Sequence, residues 1–277
     1  MTDDDEPDAP TLTVPRSEWI ADVVHAGLDR VVREEPLEIR VGSVAIAVVM
    51  RTPGHDLELA RGFAITERIV DDAAAIVGVR HCTQVEHPEA EDNVVQLVLD
   101  PSVVVDVARL RRNFYSTSSC GICGKATIEQ ALASAPPLVD DGTRVSMAVL
   151  RALPQRLRAS QAVFDRTGGL HAAGLFDAGG EMLAVREDVG RHNAVDKVVG
   201  WATEHGVSTA GTILMVSGRV SFEIAQKALA ARIGAVAAVS APSSLAIELA
   251  RAGGLVLVGF VRDERACVYS GDARVVP

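Results

Sequence analysis

Two cysteines three positions apart are the residues of this 277-residue chain best suited to chemistry. Cys120 and Cys123 lie in the run YSTSSCGICGK, residues 115–125. The Ser and Thr hydroxyls compete for local backbone hydrogen bonds, and glycine loses the most conformational freedom on folding, so regular structure is disfavoured here. The sequence therefore predicts a mobile loop that carries two thiols.

A helix is expected to begin shortly after this loop. Beyond Lys125 the pattern becomes helical, with apolar residues such as Ile128 on one face, so Cys123 should lie just ahead of a helix N-terminus. Free N–H groups there stabilise a thiolate, and so do the positive charges of Lys125 and of the arginines at 111 and 112. The loop is thus suited to a reactive sulfur.

The residues alone offer three other interpretations of the cysteine pair: buried core residues, a structural zinc site and a thioredoxin-type dithiol. Cysteines between glycines in a polar loop are poor core material. A structural zinc site needs two more ligands, and Cys82 and Cys267 stand singly and far apart, so no metal site is expected. A thioredoxin-type dithiol is the stronger alternative because C-x-x-C is its motif, although no obvious strand leads into Cys120.

Further polar segments are expected to meet at the edge of a sheet in the last third of the chain. Strands over 212–216, 235–239 and 255–260 alternate with helices over 222–233 and 244–252. This βαβαβ order predicts parallel strands with right-handed crossovers, whose carboxyl ends share one edge where ligands bind. The segments that follow the three strands are 217–219, 240–244 and 261–265.

That edge has the composition of a nucleotide site. Ser217 and Gly218 would lie next to a helix N-terminus whose N–H groups bind phosphate. Arg219, Arg262 and Arg265 would add charged, bidentate donors.

The segment EDVGRHN, residues 187–193, is a second candidate. Asp188, Arg191, His192 and Asn193 place an acid, a base, an imidazole and an amide before a helix expected to begin near Ala194. Asp188 or Asn193 could cap that helix, but the density of polar types favours a site in which a carboxylate reads the N–H edge of a nucleotide base. The sequence does not determine which carboxylate this is.

Five stretches, in one order along the chain, carry a resemblance to a known family. They are MRTPGHD at 50–56, FYSTSSCGICG at 114–124, TGGLHAA at 167–173, EDVGRHNAVDK at 187–197 and SGR at 217–219. Together they resemble the FdhD family, the accessory sulfurtransferases of formate dehydrogenase, from about residue 30 to about residue 270. The resemblance implies transfer of persulfide sulfur from a cysteine desulfurase to the molybdenum bis(molybdopterin guanine dinucleotide) cofactor of the formate dehydrogenase catalytic subunit.

The resemblance also implies roles for individual residues. Cys120 would carry the persulfide, and Cys123 would assist release or relay of the sulfur. The cofactor-binding segment of the family matches Phe260, Val261, Arg262, Asp263, Glu264 and Arg265. Just beyond it this chain has Ala266-Cys267 where many relatives have an aromatic residue and Asn, and Cys267 is expected to be buried in a strand. GDP is the expected analogue of the cofactor, and a homodimer the expected assembly. A dithiol oxidoreductase and a non-catalytic cofactor-insertion chaperone remain the alternative functions.

Composition limits the partners and the compartment. A formal net charge of −10 argues against nucleic-acid binding, which requires a basic face. The start MTDDDE lacks a basic signal-peptide region, and no apolar run approaches the roughly 20 residues of a membrane span. Four cysteines do not support a disulfide scaffold. We therefore expect a cytoplasmic protein with no membrane or nucleic-acid partner.

The chain is expected to be an α/β protein with an acidic tail and two domains. Residues 1–15 would form the disordered tail, and 16–140 a smaller α+β domain that ends in the cysteine loop. The smaller domain should contain a hairpin over 37–50, a helix over about 57–69 capped by Asp56, and a strand over 94–99. Residues 141–277 would form the larger domain, with a mostly parallel sheet.

The resemblance further implies a cytidine-deaminase-like fold for the larger domain. Ala173 stands where zinc deaminases have the Glu of their H-x-E motif, and no P-C-x-x-C follows. Deaminase chemistry is therefore not expected.

Overall fold

The computed structural model describes residues 9–82, 92–103, 105, 128–139 and 144–277. The cysteine loop over 115–125, with Cys120 and Cys123, lies outside the described residues, so the predictions for it stay predictions. None of the helices in the described ranges combines the length and the apolar character needed to cross a bilayer.

The first sheet, with its helix, forms what we call the small lobe. Its strands are β3 (Glu35–Val41), β4 (Val44–Arg51), β5 (Ile76–His81) and β6 (Val94–Leu99), in the order β4-β3-β6-β5. Helix α1 (Asp56–Thr66) packs on this sheet and places Leu59 and Phe63 in a core with Leu37, Ile39 and Leu97. The predicted hairpin, with its turn at Gly42-Ser43, and the predicted strand over 94–99 are confirmed.

The capping role predicted for Asp56 is wrong. The N-cap of α1 is His55, in a left-handed conformation with φ 60°, and it makes no side-chain cap hydrogen bond. Asp56 instead accepts two hydrogen bonds from the buried Arg51 guanidinium, at 2.7 and 3.1 Å. The carboxylate therefore joins the end of β4 to the start of α1 through a buried charged pair.

The second sheet, with the helices around it, forms the large lobe. Its strands are β8 (His171–Phe176), β9 (Met182–Asp188), β10 (Ile213–Val216), β11 (Ala235–Ala238), β12 (Val256–Arg262) and β13 (Arg265–Ser270), in the order β13-β12-β11-β10-β8-β9. The helices are α3 (Met147–Ala159), α4 (Ala162–Thr167), α5 (Arg191–Glu204), α6 (Phe222–Ala230) and α7 (Ser244–Ala252). Short 3-10 turns lie at Ala73–Ala75 and Asp272–Arg274, and the strands β7 (Val145–Ser146) and β14 (Val275–Val276) pair separately.

The predicted parallel βαβαβ unit is confirmed, but the sheet as a whole is mixed. β10, β11 and β12 are parallel neighbours, whereas β13-β12, β10-β8 and β8-β9 are antiparallel pairs. The expectation of a mostly parallel sheet is therefore wrong for strand pairing, because the hairpins β8-β9 and β12-β13 extend the unit on both sides. β9 nevertheless runs in the same direction as β10, so Asp188 at its end reaches the same edge as Val216.

Helices cover both faces of the large sheet. Alternate strand residues, such as Leu214 and Val216, pack against α5, α6 and α7, while Ile213 and Met215 pack against α3. This alternation follows from the two-residue period of strand side chains. Among the described helices, α3 is the one whose leucines pack on the face of the sheet where a cavity forms at its edge.

A long hairpin precedes the small lobe. β1 (Thr11–Ile20) and β2 (Val23–Val32) pair antiparallel along their whole length. The predicted tail over residues 1–15 is too long, since residues 11–15 belong to β1. Apolar side chains of the hairpin face solvent, among them Trp19, which is 69% exposed, and Leu28, which is 70% exposed.

The helix predicted after the cysteine loop is present as α2 (Ile128–Ser134). It packs on α7, and its Ala131 and the following Ala135 belong to the core of the large lobe. The N–H of Leu138 donates to Gly253 O at 2.9 Å. The predicted boundary near residue 140 falls in 140–143, outside the described residues, yet the helix before it already packs with the large lobe.

Helices α1 and α5 join the two lobes through a close crossing that we call the seam. A Cβ on Gly62 would lie 1.8 Å from Asp196 O, and one on Gly200 would lie 1.8 Å from Glu58 O. Only glycine allows backbones to approach this closely. The seam fixes the small lobe against α5, whose N-terminus lies at the sheet edge.

Candidate functional site

A cavity of about 1020 Å³ opens at the carboxyl edge of the large sheet, beneath α3. Ser217, Val239 and Arg262 line it, and each follows or ends a different parallel strand. The three strand-end segments thus meet at one edge, as the βαβαβ order predicts. Arg158 and Gln161, at the end of α3 and the start of α4, line the opposite wall.

The cavity wall carries an excess of positive charge. Arg151, Arg158 and Arg262 all line it, against the single carboxylate of Asp263. Arg158 pairs with Asp165 at 2.5 Å, whereas Arg151 and Arg262 have no ion pair among the residues that the structure describes. Arg262 Nε donates to Val239 O at 3.3 Å, which holds the guanidinium at the cavity mouth. These groups suit an anionic ligand.

The segment 260–265 is divided by an irregular turn. Phe260 and Asp263 have left-handed backbones, with φ 52° and 45°, and the β12-β13 register shifts between Gly259 and Arg262. A left-handed aromatic residue is a rare, strained conformation that a bulge makes possible. Val261, Arg262 and Asp263 line the cavity; Phe260, Glu264 and Arg265 do not, and Arg265 lies 5.5 Å from the centroid of the Phe260 ring.

The residues of the segment 217–219 also differ in whether they line the cavity. Ser217 lines the cavity, and its Oγ accepts a hydrogen bond from Ala172 N at 2.9 Å. Gly218 lies against His171, where an added Cβ would be 3.4 Å from Nδ1. Arg219 is exposed and is not part of the cavity wall.

His171, the histidine of the TGGLHAA stretch, is a cavity residue that the sequence analysis did not assign to the ligand site. It begins β8, between the end of β9 and the segment after β10. Burial, and then the positive charge of Arg191, lower the pKa of its imidazole. His171 is therefore neutral near pH 7 and offers one donor and one acceptor.

Asp188 and Asn193 do not face the cavity. Asp188 is fully buried and accepts hydrogen bonds from the N–H groups of Thr52 and Gly190, and from Asn193 Nδ2, at 2.7–3.2 Å. Its second oxygen also pairs with Lys197 Nζ at 2.7 Å. In this conformation Asp188 holds the two lobes together, and it has no free oxygen with which to read a guanine edge.

Asn193 belongs to the same network. Its Nδ2 also donates to Met50 O, at 2.7 Å, so it ties α5 to the end of β4. α5 begins at Arg191 rather than near Ala194, and its N-cap is Gly190, so neither Asp188 nor Asn193 is the cap residue. Glu187, the other carboxylate of this segment, accepts the N–H groups of Val163 and Phe164 at the start of α4.

Arg191 and His192 lie at the N-terminus of α5. His192 Nε2 is 3.5 Å from Arg191 Nε and 3.4 Å from Ser221 Oγ. Burial, together with the positive charges of Lys227 and Arg191, lowers the pKa of His192 to about 4. His192 is therefore a neutral acceptor, and neither residue lines the cavity.

Much of the motif MRTPGHD is part of the seam. Arg51 is 1% exposed and binds Asp56 and Glu35. Thr52 O accepts a hydrogen bond from Lys197 Nζ at 2.8 Å. A second buried cluster joins Lys227 Nζ to Asp196 at 2.9 Å, and Thr66 Oγ1 donates to the same carboxylate at 2.6 Å. The hydrogen bonds of Thr52 and Thr66 thus join the two lobes, whereas those of Arg51 stay within the small lobe.

No group of three or more potential ligands among the described His, Cys, Asp and Glu side chains could hold a metal ion. Cys267 lies in β13 as predicted, but it is half-buried rather than buried, and Cys82 is half-buried as well.

Sequence reasoning missed the cavity residues on the far wall, above all Arg151, Arg158 and Gln161. The seven-residue spacing of Arg151 and Arg158 places both on one face of α3, which is a detectable signal. Nothing in the sequence says which face of the sheet α3 covers.

Comparison with known proteins identifies the family. The sequence profile of the FdhD/NarQ family matches residues 32–276. A protein named sulfur carrier protein FdhD from Mycolicibacterium paratuberculosis is 49% identical over 251 residues, which cover 89% of this chain and 92% of the relative. A protein of the same name from Thermoplasma volcanium is 43% identical over 253 residues, 90% of each chain.

One crystal structure has the same fold. It is described as a formate dehydrogenase accessory protein from Desulfotalea psychrophila, and it matches with a TM-score of 0.76 over 96% of this chain and 99% of that one, at 22% sequence identity. The likeness in structure extends through both lobes, and the sequence profile spans most of the chain. This chain belongs to the FdhD/NarQ family.

Proposed function

We propose that this protein is a sulfur carrier for the maturation of formate dehydrogenase. Its relatives are named sulfur carrier protein FdhD, and the solved structure with the same fold is described as a formate dehydrogenase accessory protein. The observation that carries the proposal is the arginine-bearing cavity at the sheet edge, because a carrier for this enzyme must also bind the acceptor of the sulfur.

The sulfur step uses the cysteine pair. The thiolate of Cys120 attacks the outer sulfur of a persulfide on a cysteine desulfurase. A sulfur–sulfur bond forms at Cys120 while the bond in the donor breaks, and the donor cysteine leaves as a thiolate, so no external oxidant or reductant is consumed. Cys123 then assists the release or relay of the sulfur.

The acceptor is the molybdenum bis(molybdopterin guanine dinucleotide) cofactor, bound here as a substrate. A volume of about 1020 Å³ is sufficient for a nucleotide part of it. Arg262 and Ser217 lie where the carboxyl ends of parallel strands meet, which is where α/β proteins bind nucleotides. GDP is the expected analogue, with contacts from the segment 260–265 through Val261, Arg262 and Asp263.

The proposed partners are a cysteine desulfurase, the catalytic subunit of formate dehydrogenase and a second copy of this chain, in the cytoplasm. The β1-β2 hairpin supports the homodimer, since an isolated two-stranded hairpin is marginal in water and this one exposes Trp19 and Leu28. A monomer mass in sedimentation equilibrium would contradict the dimer. We also propose for the large lobe the cytidine-deaminase fold without its zinc chemistry.

Intact-protein mass spectrometry tests the sulfur step. Wild type is incubated with a cysteine desulfurase and cysteine, beside Cys120→Ala and Cys123→Ala. The expected result is a gain of one sulfur in wild type that dithiothreitol removes and that Cys120→Ala abolishes. Loss of two hydrogens without any gain would indicate the dithiol oxidoreductase. No change of either kind would favour the cofactor-insertion chaperone.

A further inference from the structure

Gln161 lies in the cavity wall, and its carboxamide has no hydrogen-bond partner in the part of the chain that the structure describes. The residue is 4% exposed and lines the cavity beside Arg158 and Phe164. Its side chain makes no hydrogen bond with any described residue, although its backbone N–H donates to Arg158 O and its carbonyl accepts from Asp165 N. A buried amide normally has partners, because leaving its donors and acceptor unpaired costs free energy.

The local fold explains why this carboxamide makes no hydrogen bond to α4. Gln161 is the N-cap of α4, a position where a side chain often accepts the free N–H groups of the helix. Here Glu187 reaches across from β9 and takes that role, with Oε2 at 2.9 Å from Val163 N and Oε1 at 2.8 Å from Phe164 N. The Glu187 carboxylate is thereby held at the helix, and the Gln161 amide can bind a ligand in the cavity.

The chemistry of a free carboxamide defines what it can recognise. Its oxygen accepts one hydrogen bond while its nitrogen donates another in the same plane. This pair is complementary to a lactam edge, in which a ring N–H stands next to a ring carbonyl. Guanine and pterin both have this edge, and the substrate in the proposed function contains both rings.

We infer that Gln161 is a specificity-determining residue that binds the lactam edge of a guanine or pterin ring in this cavity. The inference rests on the proposed function for the class of ligand. It places base recognition in the cavity wall and not on the carboxylates of segment 187–193, Glu187 and Asp188, which are bonded within the protein. Arg262, which also lines the cavity, would contact phosphate.

Isothermal titration of the full-length protein tests this assignment with Gln161→Met, which keeps the length of the side chain and removes its hydrogen bonds. The probes are GDP, 6-carboxypterin and pyrophosphate. The matched control is Gln226→Met, because Gln226 is 5% exposed but lies on α6, outside the cavity wall.

The expected result is a Kd for GDP or for 6-carboxypterin about tenfold higher in Gln161→Met than in wild type. The probe that responds identifies the ring. Pyrophosphate, which has no ring, should bind both proteins equally, and Gln226→Met should bind every probe as wild type does. The thermal midpoint of ligand-free Gln161→Met should not fall, because no hydrogen bond within the protein is lost.

Other outcomes overturn the inference and distinguish it from the proposed function. Suppose that wild type binds GDP, and that Gln161→Met binds GDP and 6-carboxypterin each as tightly as wild type does. The amide is then only hydrated, while the nucleotide site stands. A thermal midpoint that falls by several degrees in Gln161→Met, but not in Gln226→Met, would show a structural role. If wild type binds neither ring-containing probe, the cavity is not the acceptor site, and both proposals fail.

Discussion

The seam between the lobes and the cavity at the sheet edge use similar residues in opposite ways. In the seam, Asp188 and Lys197 are buried and paired with each other and with backbone groups. In the cavity, Arg151 and Arg262 are exposed, and Gln161 is buried. Within the described residues, the two arginines have no ion pair and the Gln161 carboxamide has no hydrogen-bond partner. The charged groups of the seam are paired without a ligand, whereas the cavity has hydrogen-bond donors without partners among the described residues.

The two regions meet at the carboxyl edge of the large sheet, so a polar motif at this edge can serve either one. Asp188 ends β9 and faces the seam, while Ser217 follows β10 and faces the cavity. Their neighbour in the sheet, His171, also lines the cavity. Position at the sheet edge therefore does not by itself make a residue a ligand contact; the satisfaction of its hydrogen bonds separates the two groups.

The largest effect is expected from breaking the seam. Lys197→Met leaves the Asp188 carboxylate buried without its cation, and we expect a loss of about 3–5 kcal/mol in the free energy of unfolding. Urea denaturation followed by circular dichroism measures it. Arg16→Met is the control, because the Arg16–Glu18 pair is 42% and 45% exposed and is expected to contribute less than about 1 kcal/mol. Equal losses in the two variants would contradict the distinction between seam and surface.

The second effect concerns pH at the point where the seam approaches the edge. Burial lowers the pKa of His192 to about 4, with Lys227 and Arg191 adding to the effect against the nearby Glu223 and Glu67. The unfolded imidazole has a pKa of about 6.5, so between about pH 6.5 and 4 the unfolded chain binds a proton that the native protein does not. Stability is present above this window and is lost as pH falls through it.

At pH 4.5 this loss should reach about 2–3 kcal/mol relative to pH 7.5, and His192→Gln should lack it. The measurement is urea denaturation of both proteins at the two pH values, and the difference between their losses isolates His192 from the carboxylates. His205→Gln, at the exposed C-cap of the same helix, should lose as much as wild type does. A His192→Gln variant that loses as much as wild type would mean that His192 is charged in the native protein.

Sequence reasoning reached the strand order of the βαβαβ unit because that order follows from local patterns. Alternating strands and helices over 212–260 restrict the topology to parallel neighbours, and the cavity at their ends follows. The hairpins β8-β9 and β12-β13 changed the sheet from parallel to mixed, since nothing local to a strand determines which neighbour it pairs with.

The bonding partners of charged residues could not be predicted from local sequence. Asp56 and Asp188 both precede helices, and a cap was the natural interpretation of each. Their actual partners are Arg51, Lys197 and Thr52; of these, Thr52 lies 136 positions from Asp188. A contact of that range depends on the docking of two lobes, which the sequence does not specify locally. Gln161 was missed for the same reason, because its freedom depends on Glu187.

The smallest effect concerns Arg219 and Arg262, which the sequence analysis predicted to lie in the same nucleotide site. Arg262 lines the cavity and Arg219 does not, so Arg262→Ala should weaken GDP binding by about 2 kcal/mol, the value of a charged hydrogen bond, while Arg219→Ala should leave it unchanged. Isothermal titration with GDP at low and at moderate salt measures both, and the loss in Arg262→Ala should shrink as salt screens the phosphates. A loss confined to Arg219→Ala would move the nucleotide out of the cavity, towards the α5 and α6 side of the edge. The first outcome is expected because Arg262 lines the cavity and forms no ion pair within the described residues, whereas Arg219 lies outside the cavity wall.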